Sequence, residues 1–247
     1  MTIAILQARL SSSRLPGKVL APVLGRPMIL RQIERLERST MIDTLVVATS
    51  VEASDDPLVE LLEAEGVLVR RGPLDDVAER FARVVREFES STMVRLTADC
   101  PLADPAVIDT VVREHLASRA DYSSNVIERT YPDGLDVECV QVEAFERLLA
   151  LPLTPAEREH VTVGIYARPE SFRLHSVTQE PPHPGLRWTV DVPDDLEFVR
   201  AVYAHLYDGK PDFDQTDVLE LISREPSLNR TEADVAPAGA AENPTKE

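Results

Sequence analysis

Cysteine is scarce: the 247 residues contain two, Cys100 and Cys139. They stand far apart with no metal-ligand spacing, which argues against structural zinc and a disulfide framework and makes a reducing cytoplasm the default compartment. No apolar run approaches the roughly eighteen residues of a membrane span, and the N-terminus lacks the basic-then-apolar order of a signal peptide. Neither common phosphate motif occurs. Without G-x-x-x-x-G-K-[ST] or G-x-G-x-x-G, the P-loop NTPase and dinucleotide-binding readings lose their main support. There is no internal repeat. Positive charge is also in short supply: 26 Lys and Arg face 43 Asp and Glu, a net charge of −17. That balance argues against nucleic acid or an anionic membrane as partner. An anionic small molecule stays compatible if basic groups or a divalent cation receive it.

What is present is 43% apolar and 28% charged sequence, long enough for one large α/β domain with its own core. The few cations gather at the start. Residues 1–40 hold seven Lys/Arg against two acids, a local +5 that leaves −22 for the rest. The stretch IAILQARLSSSRLPGK opens with a short apolar run, Ile3 to Leu6, of the length and character of a buried strand. It turns at once to Arg9, Ser11, Ser12, Ser13, Arg14, Pro16, Gly17 and Lys18. A small-residue loop with three cations, leaving the carboxyl end of a strand, lies where open α/β sheets bind ligands and suits a polyphosphate. The alternative is a surface turn whose cations are merely solvated.

Further on, the periodicity predicts helices over 27–38, 54–65, 75–88, 105–116, 144–150, 155–166, 193–206 and 217–223. Strands are predicted over 44–49, 67–70, 92–97, 134–142, 172–177 and 186–190. Strand and helix alternate through the first half, as in a mainly parallel, Rossmann-like twisted sheet with helices on both faces. The alternating pattern of Gly134 to Val142 adds a small antiparallel extension. One domain is expected over 1–228, followed by a disordered acidic tail, 229–247, with little apolar content.

Two carboxylates close predicted strands. Asp99 ends the run TMVRLTAD, and because parallel strands present their carboxyl ends on one side, it would face the same crevice as the first loop. Asp104, directly before Pro105, reads better as a helix cap. Asp191 ends LRWTVD before Pro193; it is either a second ligand in that crevice or the N-cap of the next helix, while Asp194 and Asp195 read as first-turn acids. Two carboxylates converging near a basic loop would hold Mg²⁺ against phosphate oxygens.

Taken together, ARLSSSRLPGK (8–18), DCPL (99–102), YPDGLDVE (131–138), EREH (157–160) and WTVDVPDDL (188–196) resemble the cytidylyltransferase family. This family includes the 3-deoxy-manno-octulosonate and acylneuraminate cytidylyltransferases, and the match is nearest the branch typified by spore coat polysaccharide biosynthesis protein F. The resemblance implies a Rossmann-like fold that binds CTP and Mg²⁺ and transfers CMP to an acceptor hydroxyl with release of pyrophosphate. By position it implies Arg9, Arg14 and Lys18 for the triphosphate and for catalysis, and Asp99 and Asp191 for the metal. Ala8, Ser11, Ser12, Ser13, Gly17 and Asp76 complete the implied nucleotide site. A departure sits at Asp75-Asp76-Val77, where better-known members carry an Asp-Arg pair. For a small anionic or polyhydroxylated acceptor the resemblance points to Tyr131, Asp133, Asp136, Glu138 and His160. Asp133 is equally placed for a plain turn, and a lone His160 for the surface. Arg187 and Trp188 fit either pocket lining or packing, and Cys100 a small buried filler. The resemblance also implies a homodimer, with the strand at Gly134 to Val142 as a candidate interface. Two other readings stay open: a nucleotidyltransferase with a phosphate- or phosphonate-bearing acceptor, and a non-catalytic nucleotide-binding module.

Overall fold

In the computed structural model, which describes residues 1–12 and 14–234, the first apolar run is strand β1 (Thr2–Gln7) at the centre of a seven-stranded sheet. Its flanking partners are β4 (Thr44–Ser50) and β6 (Thr92–Thr97), both parallel to it, and β5 (Val69–Gly72) continues the parallel run beyond β4. On the other side β8 (Glu138–Gln141) pairs antiparallel with both β6 and β7 (Tyr122–Ser124), and β9 (Leu174–Ser176) closes that edge parallel to β7. The sheet order is β5-β4-β1-β6-β8-β7-β9, with β8 alone reversed. A separate hairpin joins β2 (Pro22–Val23) and β3 (Arg26–Pro27).

Both faces of the central strands are buried, which is why they read as largely apolar runs, with Arg95 of β6 the exception. Ala4 and Leu6 face one hydrophobic cluster, Ile3 and Ile5 the other. The first cluster is covered by α1 (Met28–Leu36), α2 (Asp56–Ala64), α4 (Pro105–Ser118), α8 (Pro193–Leu206) and α9 (Gln215–Arg224). The second is covered by α3 (Val77–Glu87), α5 (Val142–Leu149) and α7 (Val163–Tyr166). Asp104 caps α4 as its sequence position implies, accepting the Ala106 N–H at 2.8 Å.

Four expectations are corrected. The helix expected over 155–166 is two, α6 (Pro155–Glu159) and α7, because Val161 takes a positive φ of 51° between them. The strand expected over 134–142 is shortened at both ends: Val142 donates its N–H to Ser91 and starts α5, while Gly134 passes against another segment. A Cβ on Gly134 would lie 2.5 Å from the Trp188 carbonyl carbon, so only glycine fits there. The segment 186–190 does not join the sheet. It crosses the strand ends, bonding to Asp133 and Asp99 instead. Finally, β8 has both edges paired within the chain, so it offers no free edge for the dimer contact expected of it.

The first six residues of the expected tail are ordered. Residues 229–234 are placed, with a bridge from Leu186 to Thr231 and a short 3₁₀ turn, Glu232–Asp234. Residues 235–247 of the expected tail, and Ser13 of the first loop, lie outside the described residues. Among the described residues no helix is long and apolar enough to cross a membrane.

Candidate active site

The loop after β1 is shaped by one buried carboxylate. Asp55 is fully buried at the end of the short 3₁₀ turn before α2; it accepts the Leu10 N–H at 2.7 Å, the Ser50 N–H at 3.3 Å and the Ser50 hydroxyl. Gly17 closes the loop by donating its N–H back to the Leu10 carbonyl at 2.9 Å. Its left-handed conformation (φ 72°, ψ 8°), which L side chains adopt at a cost, starts the 3₁₀ turn Lys18–Leu20. Lys18 is thereby turned inward, its side chain 9% exposed, while Arg14 stays half exposed on the loop.

A second segment meets that loop from the far end of the chain. The Asp99 carbonyl, just past β6, accepts the Val190 N–H at 2.8 Å and the Thr189 hydroxyl at 3.2 Å, which pins 189–191 across the strand end. Asp99 and Asp191 therefore face one cation. Lys18 Nζ lies 3.0 Å from Asp191 Oδ1, 3.6 Å from Asp99 Oδ2 and 2.6 Å from the Val190 carbonyl. Arg14 Nη2 reaches Asp191 Oδ1 at 2.9 Å, and Arg187 Nη2 holds the opposite oxygen, Oδ2, at 2.9 Å. Burial opposes ionisation of Asp191, but Lys18 first, then Arg187 and Arg14, outweigh it, so this carboxyl titrates below the usual carboxylate range. Asp191 is not the N-cap of α8. Val192 holds that position, and Asp195 in the first turn of the helix accepts the Val192 N–H at 3.1 Å and the Asp191 N–H at 2.9 Å.

Between these parts is a cavity of about 270 Å³. Ala8, Arg9, Ser12, Arg14 and Lys18 line it from the loop, and Thr97, Ala98, Asp99 and Asp191 from the opposite wall. Arg9 has no hydrogen-bond or ion-pair partner among the described residues. Gln7, Val19 and Arg95 line the cavity too, and with Thr97 and Ala98 they were not among the residues expected from the sequence. Arg95 was legible as a charge inside the apolar strand TMVRLT. It pairs with Glu138, and its Nη2 donates to Gln7 Oε1 at 3.2 Å. Cys100 beside Asp99 is buried, and burial, then Asp99, pushes its thiol well above the ordinary range, so it is a filler rather than a nucleophile.

The donor set of the two carboxylates and the Val190 carbonyl is all hard oxygen, and an ammonium already bridges the carboxylates. That chemistry fits Mg²⁺, which takes one or two protein carboxylates and completes its shell with water and phosphate oxygens. Among the described residues no group of three or more His, Cys, Asp or Glu forms a metal site.

A profile of the cytidylyltransferase family matches residues 3–215, nearly the whole described chain. The chain belongs to the cytidylyltransferase family. Spore coat polysaccharide biosynthesis protein SpsF of Bacillus subtilis is 31% identical over 240 residues, covering 93% of this chain and 98% of that protein. The solved cytidylyltransferase of Leptospira borgpetersenii superposes with a TM-score of 0.87 at 30% identity, over 92% of this chain and 95% of that one. The CMP:2-keto-3-deoxy-manno-octonic acid synthetase complexed with CTP, at 20% identity, shares the fold with a TM-score of 0.64 over 83% and 98%.

Within this member of the family, several residues named from the resemblance lie off the cavity and carry other work. Ser11 is exposed on the loop. Asp76 caps α3, accepting the Glu79 N–H at 2.9 Å, and pairs with Arg158 at 2.7 Å. Asp136 is held by both ends of the Arg129 guanidinium, at 2.7 and 2.9 Å. Asp133 pairs with Arg187 at 3.2 Å, and its carbonyl receives the Trp188 N–H, so it braces the Asp191 segment rather than the cavity. Glu138 is turned toward Arg95, the Tyr122 hydroxyl (2.9 Å) and the Thr162 hydroxyl, which uses its capacity inside the sheet. Tyr131 lines a separate cleft with Asp104, Gln179 and His183. His160 ends α6 with its side chain exposed. Trp188 is fully buried packing, whereas Arg187 belongs to the site.

Proposed function

We propose that this cytidylyltransferase transfers CMP from CTP to a hydroxyl of a sugar acid or a related small acceptor, releasing pyrophosphate, with Mg²⁺ as its cofactor. One observation carries the reading: Arg9, Arg14 and Lys18 share a cavity with Asp99 and Asp191, and Lys18 bridges both carboxylates. Transfer of a nucleotidyl group joins the acceptor oxygen to the α-phosphorus and breaks the α–β anhydride bond, with loss of the hydroxyl proton. Little covalent work falls to the protein. Its task is to align the two oxygens and to neutralise the charge on the phosphates and on departing pyrophosphate.

Arg9, unengaged among the described residues, would close on the triphosphate, and Arg14, half exposed, would exchange its ion pair with Asp191 for a phosphate oxygen. Lys18, held at the start of its short turn and now bridging the two carboxylates, would shift to the phosphates and neutralise charge on the leaving group when the metal binds. Asp99 and Asp191 would hold the Mg²⁺, which when bound supplies positive charge on the phosphate oxygens. The same reading places the protein in the cytoplasm, where nucleoside triphosphates are made, and as a homodimer through a surface other than β8. The name of SpsF, at 31% identity, supports an acceptor that enters a polysaccharide.

Pyrophosphate release should be measured with each of the four nucleoside triphosphates over a panel of ulosonic acids, sugar phosphates and phosphonates. The expected result is release with CTP and an ulosonic acid, in a product with one phosphorus from CMP. A product with two linked phosphorus atoms would move the acceptor to a phosphate or phosphonate. No release with any pair would leave a binding module.

A further inference from the structure

The cavity face of Asp191 is only half of its surroundings; the other half is built from the end of the chain. Arg187 donates its N–H to the Arg230 carbonyl at 2.9 Å, and Leu186 bridges Thr231 antiparallel. Thr231 in turn is closed into a turn by Asp234, which accepts its N–H at 2.7 Å and its hydroxyl at 2.8 Å. From this turn Arg230 Nη2 reaches Asp195 Oδ1 at 3.1 Å. Asp195 has a side chain 1% exposed, and its other oxygen serves three donors: the N–H groups of Asp191 and Val192 and, at 3.3 Å, Arg187 Nη2.

We propose that residues 229–234 are a strap that positions Asp191, with Arg230 as the positioning residue; this rests on the reading of Asp191 as a ligand-facing carboxylate. Asp195 holds the Asp191 backbone and Arg187 holds its Oδ2, so Oδ1 is the oxygen turned to Lys18, Arg14 and the cavity. Arg187 Nη2 is shared between Asp191 and Asp195. Arg230 satisfies the oxygen of Asp195 that Arg187 does not. Without Arg230, that buried oxygen loses its charged donor and draws Arg187 away from Asp191, which frees Asp191 to turn. Groups that orient a metal-ligating carboxylate in this way typically matter as much as a weak ligand does.

Three forms test it: Arg230→Met, Arg230→Lys, and a chain lacking 229–247, against a control lacking 235–247. Amide hydrogen exchange reads the strap without any substrate. In Arg230→Met and in the chain lacking 229–247, the Asp191 and Val192 amides should exchange about tenfold faster than in the intact protein, with those of β1 and β6 unchanged. In pyrophosphate release, kcat/KM for Mg·CTP should fall by about tenfold, and Mn²⁺ affinity in the presence of CTP by a similar factor. Arg230→Lys should recover part of both, and the control should match the intact protein. Unchanged exchange at Asp191 and Val192 in Arg230→Met would overturn the strap. So would a lowered melting temperature with normal kcat and Mn²⁺ affinity in the folded protein. Absence of pyrophosphate release from the intact protein would instead sink the proposed function, with the exchange data still deciding the strap.

Discussion

Replacing Lys18 by methionine keeps most of the buried stem and removes the charge. In the folded protein the ammonium touches Asp191 Oδ1, Asp99 Oδ2 and the Val190 carbonyl. Stranding a buried carboxylate costs about 3–5 kcal/mol when its partner disappears. Asp191 does not fall in that class, because Arg14 and Arg187 remain within 2.9 Å. The stability loss should therefore be nearer 1 kcal/mol, about one charge-assisted hydrogen bond. Catalysis should suffer more. A single donor aimed at charge that develops in the transition state is worth about 10²–10³ in kcat, or roughly 3–4 kcal/mol. The assay is steady-state pyrophosphate release by Lys18→Met at saturating CTP, together with a urea melt. The expected result is kcat down by about 10²-fold with KM for the acceptor unchanged and a melt close to the parent. A variant that keeps its kcat, or whose loss is confined to acceptor KM, would refute the placing of Lys18 at the leaving group.

Three other perturbations follow from the same geometry. His115 is fully buried, with Nδ1 2.9 Å from Ser123 Oγ; burial first, then His175, pull its pKa from an ordinary 6.5 to about 4, with Asp121 opposing. A histidine depressed in the folded state contributes stability that is complete above about pH 6.5 and fades as pH falls toward 4, here about 3 kcal/mol. Urea melts at pH 7.5 and 4.5 should show that loss in the parent and a smaller one in His115→Asn. Asp55→Asn puts an amide donor against the N–H of Leu10 or of Ser50, and should cost about 2 kcal/mol and weaken CTP binding by calorimetry through the distorted loop; an unchanged CTP isotherm would count against the anchoring role. Arg95→Met leaves Glu138 charged and served only by hydroxyls, and should lose about 3 kcal/mol in a urea melt, of which Glu138→Gln in the same chain restores a good part.

The parts legible in the sequence are those set by local pattern. The strands at 2–7, 44–50 and 92–97 announce themselves as apolar runs because both sides of each are covered. The Pro16-Gly17 turn and the Asp104-Pro105 cap carry their conformations in their own residues. The meeting of Asp99 with Asp191 was also legible, since both close strand-like runs, although 186–190 reaches Asp99 by crossing the strand end and not as a strand of the sheet. The misses are long-range. Nothing local shows that 186–190 would bond across to Asp133 and Asp99 rather than enter the sheet, or that Glu138 would spend itself on an arginine 43 residues earlier. Tyr122–Ser124 is three residues long and has no period to read. Arg230 looked like the start of a polar tail because its partner, Asp195, is buried by other elements.

In the proposed reaction the basic loop and the two distant aspartates meet around one metal-bound triphosphate. Crystals grown with CTP and Mn²⁺ would test it directly through anomalous scattering from the manganese. The expected result is a single strong peak between the carboxylates of Asp99 and Asp191, with the triphosphate against Arg9, Arg14 and Lys18. A manganese bound elsewhere, or a nucleotide whose phosphates turn away from residues 8–18, would contradict it.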